Sequence, residues 1–148
     1  MKKVTNSIIA YGMWFVDIAL AFWLFYFSRT AYLGIFALFY KTGNSGYANM
    51  VSFLDKAFMI VLGLTWLTFM IIVEEYFRLG IQKGTLVNRF AKITGPVLLC
   101  IFVVDLIVFW LEGIGSGNWL RWLILAGELG IGIALVVFAK SASLSKTS

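Results

Sequence analysis

The chain has 148 residues, of which 61% are apolar and only 13% charged. A soluble domain carries roughly 25% charged residues, and a soluble fold of this length has no means of covering so much apolar surface. The net charge of +5 comes from basic residues scattered along the chain, not gathered on one polar face, which argues against nucleic acid as a partner.

That composition predicts an all-α integral membrane protein, with 1–148 forming a single transmembrane domain. Four apolar stretches, at about 8–28, 53–73, 93–111 and 119–139, are each near the roughly 20 residues needed to cross the hydrocarbon. Lipid cannot satisfy an open backbone, so the expected architecture is a four-transmembrane-helix bundle. The first stretch follows "MKK", in the manner of a secretory signal. It is longer than a signal core, and no small-x-small cleavage pattern follows it before "FSRTAY", so it is expected to remain as an anchor.

"AYLGIFALFY", Ala31 to Tyr40, lies between Arg29 and Lys41 and is too short to span. It reads either as a tilted extension of the first helix or as a short interfacial helix near 30–40, with Tyr32 and Tyr40 at headgroup level. Gly43, Asn44, Ser45 and Gly46 mark a loop. After the second stretch, Glu74 to Gly95 forms a connection in which charges alternate with Tyr76, Phe77, Leu79, Ile81, Leu86, Val87 and Phe90. It is predicted to consist of helix ends and a short amphipathic turn. Pro96, the single proline, is expected near the start of the third helix, where its missing N–H costs least. "EGIGSGN", Glu112 to Asn118, is a second glycine-rich loop. It lacks the preceding strand and following Lys of a phosphate loop.

Orientation follows from the basic residues. Lys2, Lys3, Arg78, Lys83, Arg89, Lys92, Lys140 and Lys146 fall on one side of a four-span topology, and Arg29, Lys41, Lys56 and Arg121 on the other. This asymmetry predicts a multi-pass protein of the cell membrane with both termini cytoplasmic. Arg78, Lys83, Arg89 and Lys92 are candidates to hold lipid headgroups. Ordinary positive-inside anchoring is the favoured account of them.

Three acids lie inside the apolar stretches: Asp17, Asp105 and Glu128. A charge at mid-membrane costs about 2.5–3.5 kcal/mol on insertion scales, so each should face protein or water. Helical phase places Asp17 on a stripe with Ala10, Ala21 and Ser28, opposite Ile8, Phe15, Phe22 and Tyr26. In the third helix, Thr94, Leu98, Ile101, Asp105 and Glu112 share a stripe, opposite Val103, Ile107 and Trp110. Arg121 and Glu128 share a face of the fourth helix, and Arg121 has Glu128, Glu112 and Asp105 as candidate partners; for Asp105, expected to be sheltered from lipid, Arg121 is the best basic candidate. Opposite Glu128, the small residues Ala126, Gly130 and Ala134 recur every four positions, a pattern that permits close helix packing.

The chain contains no histidine, which removes the commonest metal ligand and general base. No catalytic residue, metal site or cofactor is predicted. Cys100, within an apolar run, reads as an inert packed thiol. The expected function is a non-enzymatic accessory, assembly or structural subunit whose partners are membrane lipids and other membrane proteins, or further copies of itself. The alternative is a small homo-oligomeric transporter or channel, ion- or proton-coupled, using Asp17, Asp105 and Glu128. A third reading is a lipid-processing enzyme at the cytoplasmic interface, with the adjacent Glu74 and Glu75 as its acids. Neighbouring residues on a helix point about 100° apart, which weakens it.

Overall fold

The computed structural model describes residues 2–39, 45–111 and 119–144, and among these every residue except Gly84 and Thr85 is helical. The helices are α1 (Lys2–Phe39), α2 (Ser45–Lys83), α3 (Leu86–Leu111) and α4 (Trp119–Leu144). No strand occurs among the described residues, and each helix is long and apolar enough to cross a membrane. Glu112, Gly43, Asn44 and the loop glycines at 113, 115 and 117 lie outside the described residues.

The helices are longer than their apolar runs. α1 has 38 residues and α2 has 39, close to 57 Å at 1.5 Å per residue, against a hydrocarbon thickness of about 30 Å. No separate helix is found at 30–40: α1 runs unbroken to Phe39. Nothing in "SRTAYLGIFALF" breaks a helix, and the extension gains side-chain partners. Arg29 forms a two-point ion pair with Asp55 of α2 (Nε–Oδ1 3.2 Å, Nη2–Oδ2 3.1 Å). Three residues further on, Tyr32 stacks on Phe58 with ring centroids 4.3 Å apart.

The connection between the second and third helices is also much shorter than the sequence implies. Helix continues to Lys83 and resumes at Leu86, leaving two residues. Gly84 has φ +63°, a conformation that costs glycine nothing and a residue with Cβ about 1–2 kcal/mol. It closes a Schellman motif: Thr85 N–H donates to the Gly80 carbonyl at 3.0 Å, and Gly84 N–H to the Ile81 carbonyl at 3.4 Å. Because α3 begins at Leu86, Pro96 lies in its interior rather than near its start. It therefore withholds the usual helical donor from the carbonyl of Lys92.

α3 is the hub. It contacts α1, α2 and α4, whereas α4 contacts α3 alone among the described helices. α1 and α3 run parallel: Thr94 meets Asp17 and Leu111 meets Gly34, both at an offset of 77 positions. α4 returns antiparallel to α3, with Gly95 near Val136, Leu99 near Gly132 and Phe109 near Trp122. The buried residues recur every seven positions: Ala10 and Asp17 in α1, Thr94, Ile101 and Val108 in α3, Leu125, Gly132 and Ala139 in α4. A seven-residue repeat keeps one seam facing its neighbour along the length of the helices. The seam is narrow. Only 6% of the apolar window of α2 and 17% of that of α4 are buried within the chain.

Candidate functional site

The polar residues of the helices gather at two places along α3. The first joins α1 to α3. Asp17 is fully buried, and the Thr94 hydroxyl donates to its Oδ1 at 2.7 Å. Asp17 reaches this position because Ala10 and Ala31 on the same face let the two backbones approach. Ile8, Phe15, Phe22 and Tyr26 point the other way and are more than half exposed. The second oxygen, Oδ2, is buried without a hydrogen-bond partner.

The second cluster joins α3 to α4. Asp105 is 3% exposed and accepts from Arg121 Nη2 at 3.2 Å. The guanidinium also lies over the Phe109 ring, 5.4 Å from its centroid. Of the three candidate acids for Arg121, Asp105 is therefore an observed ion-pair partner; Glu112 is outside the described residues. Glu128 faces the same seam, near enough for its charge to interact with that of Asp105. Its Oε2 is buried and makes no hydrogen bond. Thr94 and Asp105, the α3 members of the two clusters, are 11 positions apart, about 16 Å along the helix. Between them on the same stripe stand Leu98 and the buried Ile101.

The small-residue ridge of α4 is on the other side. Ala126, Gly130 and Ala134 are exposed, and a Cβ placed on Gly130 would meet nothing within 4 Å. Close packing between α3 and α4 is instead made by Gly95 and Gly132. A Cβ on Gly95 would come within 2.8 Å of Val136 Cγ2, and one on Gly132 within 2.9 Å of Leu99 Cδ2. Cys100 is exposed on the outer face of α3, which corrects the expectation of a packed thiol.

The basic candidates divide. Arg89 is engaged locally: Nη1 donates to the Tyr76 carbonyl at 2.6 Å, Nε donates to Thr85 Oγ1 at 3.2 Å, and the guanidinium sits 4.4 Å from the Tyr76 ring centroid. It clamps the α2–α3 turn. Arg78, Lys83 and Lys92 are exposed, as are Glu74 and Glu75. Glu74 and Arg78 line a pocket of about 200 Å³ between α1 and α2, with Trp14 and Phe77. Sequence reasoning missed the Arg29–Asp55 pair. Asp55 has Lys56 beside it in sequence, and only the extension of α1 brings Arg29 to it.

Four helices, each long and apolar enough to cross a bilayer, are compatible with a multi-pass helical membrane bundle. No protein-family model matches the chain, and comparison with curated proteins and with solved structures finds no significant match.

Proposed function

We propose that the chain is a non-enzymatic, multi-pass subunit of the cell membrane, with cytoplasmic termini, that packs against partner membrane proteins as an accessory, assembly or structural component. The observation that carries this reading is the placement of α4. Among the described helices it packs on α3 only, with Leu125, Gly132 and Ala139 buried, and turns Ala126, Gly130 and Ala134 outward. Lipid offers no advantage to small residues, whereas another helix does, because small side chains let backbones approach closely. The polar groups fit the same reading. Asp105 is held by Arg121 and Asp17 by Thr94, so both acids have work within the fold.

A second reading, a homo-oligomeric ion- or proton-coupled transporter, is favoured by the unpartnered oxygens of Asp17 and Glu128. Against it stands the apolar stretch at Leu98 and Ile101 between the two polar clusters. Purification in mild detergent from its native membrane, followed by mass spectrometry of co-purifying chains, separates the two. A stable foreign membrane protein in fixed ratio is the expected result. A homo-oligomer without a foreign partner would replace the subunit reading with transport.

A further inference from the structure

We propose that the pocket between α1 and α2, at the end of the second apolar run, binds the headgroup of a zwitterionic phospholipid, its ammonium toward Glu74 and its phosphate toward Arg78. The pocket has a volume of about 200 Å³, and Tyr11, Trp14, Glu74, Phe77 and Arg78 are among the residues that line it. Pockets that enclose a whole drug-sized ligand run to roughly 300–1,000 Å³. This one therefore suits a headgroup, the acyl chains lying along the apolar surface outside.

The charge pattern selects the ligand. Glu74 and Arg78 are four positions apart on α2, the spacing at which an acid and a base on a helix can pair. They form no ion pair with each other, and both border the pocket. Arg78 alone would favour any lipid phosphate. A carboxylate beside it repels a second anionic group and attracts an ammonium, which is the charge arrangement of phosphatidylethanolamine and phosphatidylcholine. The wall is aromatic, and aromatic faces attract a cation. The fold holds that wall in place. Trp14 Nε1 donates to the Met70 carbonyl at 3.3 Å, Tyr11 packs edge-on to Trp14 with centroids 6.4 Å apart, and Phe77 is 2% exposed. The level also suits a headgroup. Glu74 directly follows the second apolar run, and Tyr11 and Trp14 stand in the first two turns of the first, where aromatic rings meet the membrane–water interface.

This inference does not rest on the subunit reading, because any membrane-spanning role leaves the pocket in place. The test uses the full chain in detergent and counts bound lipid by native mass spectrometry, offering phosphatidylethanolamine or phosphatidylglycerol with identical chains. The wild type is expected to retain phosphatidylethanolamine. Glu74→Gln should reduce that retention about threefold and leave phosphatidylglycerol undiminished, because the phosphate contact at Arg78 remains. Arg78→Gln should reduce retention of phosphatidylethanolamine about fivefold. Both residues are exposed, so these changes leave the helix seams intact. Glu75→Gln and Lys83→Gln remove the same charges from exposed positions that do not line the pocket, and should leave retention unchanged. No phosphatidylethanolamine on the wild type would overturn the proposal, and so would equal losses in the two controls. A loss of phosphatidylglycerol with Glu74→Gln as large as that of phosphatidylethanolamine would also overturn it, since Glu74 would then select no ammonium. Displacement of the lipid by millimolar phosphorylethanolamine would overturn the lipid assignment in favour of a soluble zwitterion.

Discussion

Asp105 and Arg121 pair across the α3–α4 seam, with the carboxylate almost fully buried between apolar helices. Removing one member of a buried ion pair leaves the other uncompensated, at a cost of roughly 3–5 kcal/mol. Asp105 is 3% exposed, and the side chain of Arg121 is 22% exposed. Asp105→Leu should therefore destabilise the protein more than Asp105→Leu combined with Arg121→Leu. A double-mutant cycle on thermal unfolding in detergent measures the coupling, and simple additivity would refute the pairing energy. The Arg29–Asp55 pair is the internal comparison. Its geometry is two-pointed, but the Arg29 side chain is 43% exposed, and solvent screens an exposed pair. The same cycle at 29 and 55 should show a smaller coupling than at 105 and 121.

At the scale of one helix, α4 presents two small-residue faces that behave differently. Gly132 sits in the seam, where an added Cβ would meet Leu99 Cδ2 at 2.9 Å and the Leu99 backbone nitrogen at 3.4 Å. The backbone atom cannot rotate away, so Gly132→Leu forces α3 and α4 apart. Overpacking of this kind costs typically 1–3 kcal/mol, and the isolated chain should lose thermal stability accordingly. Gly130 faces outward into open space. Gly130→Leu should leave the stability of the isolated chain unchanged and reduce the size of any complex in mild detergent. An unaltered complex would show that the ridge meets only lipid.

For the molecule as a whole, the proposed orientation places both termini and the Gly84 turn in the cytoplasm, with the 43–46 and 115–117 segments outside. The prediction rests on the unequal division of basic residues between the two sides. Single cysteines placed at Lys83 and at Ser116, in a chain whose exposed Cys100 has first been replaced, report it in intact cells. An impermeant thiol reagent should label the cysteine at 116 and spare the one at 83. Labelling at 83 would invert the topology and with it the leaflet that the Glu74–Arg78 pocket faces.

Length, composition and apolar runs were enough to determine the helical class, the number of helices and the inward stripes of α1 and α3. These are local properties: a run of about 20 apolar residues has helix as its only solution in lipid, and the few polar residues on it must turn away from the hydrocarbon. The helix ends were not legible, because Arg29 and the charges of Glu74 to Lys92 look like boundaries when each helix is considered alone. Their partners, Asp55 and the Tyr76 carbonyl, are distant in sequence, and only packing brings them together. The hub position of α3 was equally hidden, whereas a sheltered Asp105 with Arg121 as its basic partner was expected from the helical phase and is found. In a soluble helix the buried face is the greasy one, but here every face is greasy, and the seam mixes alanine, glycine, threonine and aspartate with Ile101, Val108 and Leu125. Hydrophobicity carries no contrast along such a helix. Small residues mark two faces of α4 alike, and tertiary contact decided which of them, Gly132 or Gly130, touches α3, because only one can face it at a time.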